Sequence, residues 1–235
     1  MTARPLVLAH RGARTVAAEN TLEAFTTALA QGADGVELDV HRTADDGLVV
    51  HHDAEAAELG LLADRSVREV QIARPEIPSL AEVLDACAGT LVNIEIKNLP
   101  TDADYDATDR AADLVVELLA SRGRRDDVLV SSFNLSTIDR VRDRDPSIPT
   151  GFLTIQDPRE ELTVAAERGH GALHPFFAWL TDEVAPAVMA RARELDVAVN
   201  AWTVNEEADM RRLATAGVAS IITDVPDVGR RVLDA

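Results

Sequence analysis

The chain holds one cysteine and one lysine in 235 residues, and only 3% of it is aromatic. A lone Cys87 closes no internal disulfide, and in its Ala-rich segment it reads as a small buried apolar side chain. Positive charge is also scarce: 23 Lys and Arg against 41 Asp and Glu leave a formal charge of −18. Such a surface repels a phosphate backbone instead of releasing its counterions, which excludes nucleic acid and argues against stable association with an anionic membrane. Any phosphate is then small and held locally. No apolar run approaches the roughly 20 residues that span a bilayer. The N-terminus enters an apolar run after Arg4 and Pro5 without the charged, hydrophobic and small-residue order of a signal peptide, so a soluble cytoplasmic chain is expected. No Gly-, Pro- or Ser-rich linker and no low-complexity tract divides it. No feature specifies an oligomer.

What is present is a rhythm. Apolar, β-branched runs recur at 6–9, 35–41, 91–97, 128–133, 149–155, 172–176, 198–204 and 219–223, mostly separated by helical patterns. The first helix is expected to open at Asn20 as N-cap, with Glu23 completing a capping box and Gly32 past its end. Others are expected over Ser79–Ala88, Asp104–Arg122, Leu135–Arg144, Arg159–Arg168, Asp182–Leu195, Glu206–Ala216 and Val225–Leu233. Eight strands alternating with helices favour an α/β TIM (β/α)8 barrel, for which roughly 250 residues is ordinary. Residues 1–235 are therefore expected to form a single domain. The departure from the rhythm, residues 42–78, carries a short strand at 48–52 and an irregular stretch to Pro78, and is expected to be a small cap-like insertion after the second strand.

In such barrels the C-terminal strand ends converge on the active site, so His10, Asp39, Lys97, Phe133, His174, Trp202 and Asp224 are expected on one face. Leu6-Val7-Leu8-Ala9 runs into His10-Arg11-Gly12, and Leu48-Val49-Val50 into His51-His52-Asp53. Between them, Gly35-Val36-Glu37-Leu38-Asp39-Val40-His41 alternates, so Glu37, Asp39 and His41 share one strand face. Histidines for proton transfer, an arginine for an anion and paired carboxylates for a cation describe a hydrolytic site. Lys97 ends Leu91-Val92-Asn93-Ile94-Glu95-Ile96-Lys97, on one face with Asn93 and Glu95. Among 22 arginines, a single lysine at a strand mouth marks a place where a compact ammonium serves and a wide guanidinium fork does not.

In order along the chain, these segments resemble the glycerophosphodiester phosphodiesterase family. The resemblance is carried by His10-Arg11-Gly12, Glu19-Asn20-Thr21, Glu37-Leu38-Asp39-Val40 with Thr43, and Val50 with His52-Asp53. It continues through Ile77-Pro78-Ser79-Leu80, Asn93-Ile94-Glu95-Ile96-Lys97, Ser131-Ser132-Phe133, Ala201-Trp202-Thr203-Val204-Asn205 and Ile221-Ile222-Thr223-Asp224. It spans nearly the whole chain.

The resemblance implies hydrolysis of a small glycerophosphodiester to glycerol 3-phosphate and an alcohol. It implies that Glu37, Asp39 and Glu95 hold one divalent cation, calcium or magnesium, consistent with an all-oxygen donor set. It makes His10 and His52 the general acid and base, whether the neighbouring glycerol hydroxyl or water attacks phosphorus. Arg11 offers a bidentate fork and Lys97 a point charge to the phosphate oxygens. Glu19 pairs with or positions a basic group, Asp53 orients a histidine or a loop amide, and Asn20 supports the site or, more simply, caps the first helix. Trp202 lies along the glycerol carbons or is a rim aromatic. Neither His41 nor His51 is given a chemical role; strand alternation sends His51 away from His52.

The chain departs from the family pattern at Ala18, where proline is common, and after Asp53, where Ala54 to Arg65 replaces a Leu-x-Arg-Thr-Thr stretch. The acids Glu55, Glu58 and Asp64 there suggest a cationic head group. An alternative on the same barrel is a lysophospholipid or other lipid phosphodiesterase of the C or D type. It requires an apolar rim, for which so few aromatics and so much negative charge offer little. A silent binding module is opposed by retention of both histidines, three acids and both cations.

Overall fold

The computed structural model describes residues 4–124 and 127–234. The chain begins β1 (Leu6–His10), α1 (Leu22–Ala30), β2 (Gly35–Arg42), β3 (Leu48–Val50), β4 (Glu55–Ala56), β5 (Gly60–Leu61), α2 (Val67–Ala73), α3 (Leu80–Ala86) and β6 (Leu91–Ile96). It continues α4 (Arg110–Arg122), β7 (Val128–Ser132), α5 (Leu135–Arg144), β8 (Thr150–Thr154), α6 (Pro158–Glu167) and β9 (Ala172–Pro175). Then come α7 (Ala185–Leu195), β10 (Ala198–Ala201), α8 (Glu207–Ala216), β11 (Ser220–Thr223) and α9 (Pro226–Leu233). The eight parallel strands β1, β2 and β6 to β11 form a closed ring, because β1 pairs with β11 on one side and β2 on the other. All eight strands expected from the apolar runs are present.

Outward-facing strand residues such as Val36, Leu38, Val92 and Ile94 pack under the helices, and a matching cluster around Leu173, Val199 and Ile221 fills the other half of the wall. The barrel interior is instead partly polar. Asn93 Nδ2 donates to Ser131 Oγ, Ser220 Oγ donates to Asn200 Oδ1, and Asn200 Nδ2 lies 2.9 Å from His174 Nε2. His174 is wholly buried there against Asn200, and it is not among the residues that line the cavity at the strand ends, where the strand-end map places it. Gly151 makes room for the ring, since a Cβ there would stand 2.5 Å from His174 Nε2.

Two boundaries differ from expectation for local reasons. The α4 helix starts at Arg110, not Asp104: residues 104–109 fold as a loop in which Asn98 Oδ1 accepts from the Asp106 amide and Asn98 Nδ2 donates to Asp109 Oδ1. The irregular stretch before Pro78 contains α2, opened by a reciprocal capping box of Ser66 and Glu69, a spacing legible in the sequence. The strand expected at 48–52 is β3, shorter and antiparallel to the end of β2.

Candidate active site

Strand register assembles the site. His10 stands beside Glu37 across β1 and β2, and Asp39 beside Glu95 across β2 and β6. One oxygen from each of Glu37, Asp39 and Glu95 lies within 4.8 Å of the others, and all three residues are buried. Burial and then repulsion from Asp39 and Glu95 push the Glu37 pKa well above the usual carboxylate range. Burial also raises Glu95, with Asp39 adding to it against the opposing pull of Lys97. Asp39 behaves oppositely: burial would raise it, but Lys97, Arg11 and a hydrogen bond from Asn20 hold it below its ordinary value. Its Oδ1 is buried without a hydrogen-bond partner. Three close carboxylates, one with a buried oxygen that accepts no hydrogen bond, fit a hard divalent cation.

Lys97 Nζ lies 2.9 Å from Glu95 Oε1 and 3.5 Å from Asp39 Oδ1. Burial would lower its pKa, but those two carboxylates outweigh burial and keep the ammonium charged. Arg11 sits in the left-handed region at φ 57°, its amide donating to the Glu37 carbonyl. Its Nη1 donates to Glu19 Oε1 at 2.9 Å and its Nε lies 3.2 Å from Asp39 Oδ2. The turn is tight: a Cβ on Gly12, at φ 83°, would come within 2.6 Å of the Ala24 carbonyl carbon. Arg14, which sequence reasoning passed over, shares Glu19 at 2.7 Å.

A cavity of about 200 Å³ opens over these groups. His10, Arg11, Glu37, His52, Glu95 and Lys97 line its polar side, with Phe133, Leu153, Trp202 and Ile222 opposite. His10 Nδ1 bonds Asp224 Oδ1 at 2.7 Å, which leaves Nε2 for the cavity, and Asp224 Oδ2 accepts from Asn205 Nδ2. Burial would raise the Asp224 pKa, but hydrogen bonds from His10 and Asn205 hold it low. His52, just past β3, bonds Asp53 Oδ1 through Nδ1 at 2.7 Å. Burial lowers its pKa, with Lys97 and Arg11 adding to that against Asp39. Trp202 donates from Nε1 to the His174 carbonyl, and its ring centroid lies 5.5 Å from Phe133 and 5.6 Å from Phe176. Few as its aromatics are, the chain packs these three together, and Phe133 and Trp202 line the cavity.

Other expectations change. Thr21, not Asn20, caps α1 by accepting from the Ala24 amide; Asn20, at φ 56°, turns inward and donates to Asp39 Oδ2 at 2.9 Å. The strained backbone frees the Asn20 side chain for the carboxylate, and Thr21 supplies the capping oxygen. Glu55 and Glu58 border a shallow surface hollow along β4 and β5, and neither they nor Asp64 line the cavity. His51 bonds the Asp53 carbonyl and is absent from the cavity lining. Asp224 was legible as a strand end, but its partnership with His10 was not.

The fold and this arrangement of side chains define a barrel hydrolase for phosphate diesters. The sequence profile of the glycerophosphoryl diester phosphodiesterase family matches residues 10–228, and the chain belongs to that family of enzymes. It is 31% identical over 241 residues to a glycerophosphodiester phosphodiesterase of Caldanaerobacter subterraneus, covering 95% of this chain and 96% of that one. A Bacillus altitudinis glycerophosphodiester phosphodiesterase is 32% identical, with 94% and 95% covered. The crystal structure of the Thermotoga maritima glycerophosphodiester phosphodiesterase superposes with a TM-score of 0.84 at 27% identity, over 99% of this chain and all of that one.

Proposed function

We propose that the chain hydrolyses small glycerophosphodiesters to glycerol 3-phosphate and an alcohol, by histidine general acid–base catalysis assisted by one divalent cation. The observation that carries this reading is that His10 and His52 line one cavity with Arg11, Lys97 and two of the three clustered carboxylates. Glu37, Asp39 and Glu95 would hold the cation, calcium or magnesium, which supplies positive charge to the phosphoryl oxygens when bound. Arg11 and Lys97 bind the remaining phosphate charge, with Glu19 fixing the Arg11 fork and Asn20 fixing Asp39. One imidazole takes the proton of the attacking hydroxyl and the other delivers a proton to the leaving alkoxide. Asp224 orients His10 and Asp53 orients His52. Trp202 lies against the glycerol carbons. The chain acts as one barrel domain, with residues 42–78 as a small cap that brings His52 to the mouth.

Among the described residues no helix is long and apolar enough to cross a membrane. The charge of −18 favours substrates met in solution over those in an anionic bilayer. The test is product identification from a panel of glycerophosphodiesters and lysophospholipids, each with calcium, magnesium or chelator. Glycerol 3-phosphate released in a cation-dependent way is the expected result; preferential turnover of lysophospholipids sinks the assignment.

A further inference from the structure

His41 has no place in the chemistry above, yet it is almost completely buried and meets an acceptor at each ring nitrogen. Nε2 lies 3.1 Å from the carbonyl oxygen of His52, and Nδ1 lies 2.7 Å from Asp104 Oδ2. The His41 and Asp104 side chains are 2% and 4% exposed. We propose that His41, clamped by Asp104, is a positioning residue that fixes the backbone of His52 relative to the carboxylates of β2. This rests on the acid–base role given to His52.

The need for such a clamp follows from where His52 stands. It lies beyond β3 in a bend, and its side-chain partner Asp53 is 73% exposed, so that pair is solvent-screened and holds the loop weakly. His41 belongs to β2, two residues beyond Asp39 on the same inward face. Its Nε2 contact ties the loop to the strand that carries the carboxylates, and its Nδ1 contact ties both to the connection after β6. That connection is itself braced, since Asp102 Oδ2 accepts from the Leu99 amide and Asn98 spans from Asp106 to Asp109. The strand that carries the carboxylates, the loop eleven residues beyond it and the connection 63 residues away therefore meet at one imidazole. The arrangement has a cost: Asp104 Oδ1 is buried without a hydrogen-bond partner. A buried polar atom left unsatisfied costs about 1–3 kcal/mol, and such departures from good packing concentrate where geometry serves function.

The experiment compares His41→Leu and His41→Gln in the full chain with added magnesium and glycerophosphoglycerol, each alone and combined with His52→Ala. His52→Ala alone is expected to lower kcat by about 10²- to 10⁴-fold. His41→Leu should lower kcat roughly 10- to 100-fold with KM nearly unchanged, the range typical of residues that orient an active group. His41→Gln, whose amide can donate to the same carbonyl, should recover part of that loss. In the His52→Ala background both changes should cost nothing further, and calorimetric magnesium affinity should match the parent. Additive losses in that background, weakened magnesium binding, or full kcat in His41→Leu overturns the proposal. Full kcat in His52→Ala instead removes the role assigned to His52, and the clamp falls with it. If His41→Leu does not fold, Asp104→Ala opens the other contact and carries the same comparison with the same outcomes.

Discussion

His10 and Asp224 stand 214 positions apart in the chain and 2.7 Å apart at Nδ1 and Oδ1. The first and last barrel strands pair, with Ala9 beside Thr223, so the closing seam of the ring is also where an imidazole acquires its orienting carboxylate. Asp224→Asn should therefore lower kcat by about 10- to 100-fold while leaving KM and the thermal midpoint close to the parent, and His10→Ala should lower it about 10²- to 10⁴-fold. Steady-state kinetics on the two variants checks the order of the losses; equal activity in Asp224→Asn and the parent counts against the pairing.

Chelation should abolish activity and lower the melting temperature, and a saturating cation should restore both. Binding at 100 times Kd stabilises the folded state by about 2.7 kcal/mol. Because the Glu37 and Glu95 pKa values are raised in the free protein, a cation must displace protons from them at low pH. The cation-induced rise in melting temperature should therefore grow as pH increases from acid towards neutral. Thermal shifts measured across that range with calcium and magnesium test both the sign and the preferred ion.

Gly151→Ala should destabilise the barrel without touching the cavity. The added Cβ would meet His174 Nε2 at 2.5 Å, in a wholly buried ring whose Nε2 lies 2.9 Å from Asn200 Nδ2. Overpacking of this kind costs about 1–3 kcal/mol. Each kcal/mol corresponds to a fall of roughly 2–4 °C in Tm for a chain of this size. Differential scanning calorimetry reads the effect, and an unchanged Tm shows that the interior is looser than this geometry requires.

His174 also predicts a pH dependence of stability. Complete burial drives its pKa down to about 3 from the usual 6.5, so the folded state keeps it neutral where the unfolded chain takes up a proton. The unfolded state then binds more protons between those values, and stability falls as pH drops through 6.5 towards 3. One such group contributes a slope of about 1.4 kcal/mol per pH unit. In His174→Gln that part of the slope should vanish, as judged from urea titrations at a series of acidic pH values. A slope identical to the parent's assigns the acid sensitivity to other groups.

The eight barrel strands were legible because each is a continuous run of outward apolar residues alternating with inward ones, a local pattern with period two. The same alternation placed Glu37 and Asp39 on one face, and the strand ends placed Asp224 on the site side. Helix boundaries are less legible: α4 begins late because Asn98 and Asp109 fold the preceding loop, and α2 lies in the stretch that reads as irregular, although its Ser66 and Glu69 capping box stands in the sequence.

The number and direction of the barrel strands, the absence of a disulfide framework and the side-chain types available for a phosphodiester can all be read from local periodicity and composition. Which groups act together depends on the folded arrangement. Asn20 became a partner of Asp39 instead of a helix cap, His174 became interior packing, and His41 joined Asp104 to the His52 loop. Those pairings depend on strand register, ring closure and loop paths, which set distances between residues far apart in the chain and leave no periodic trace along it.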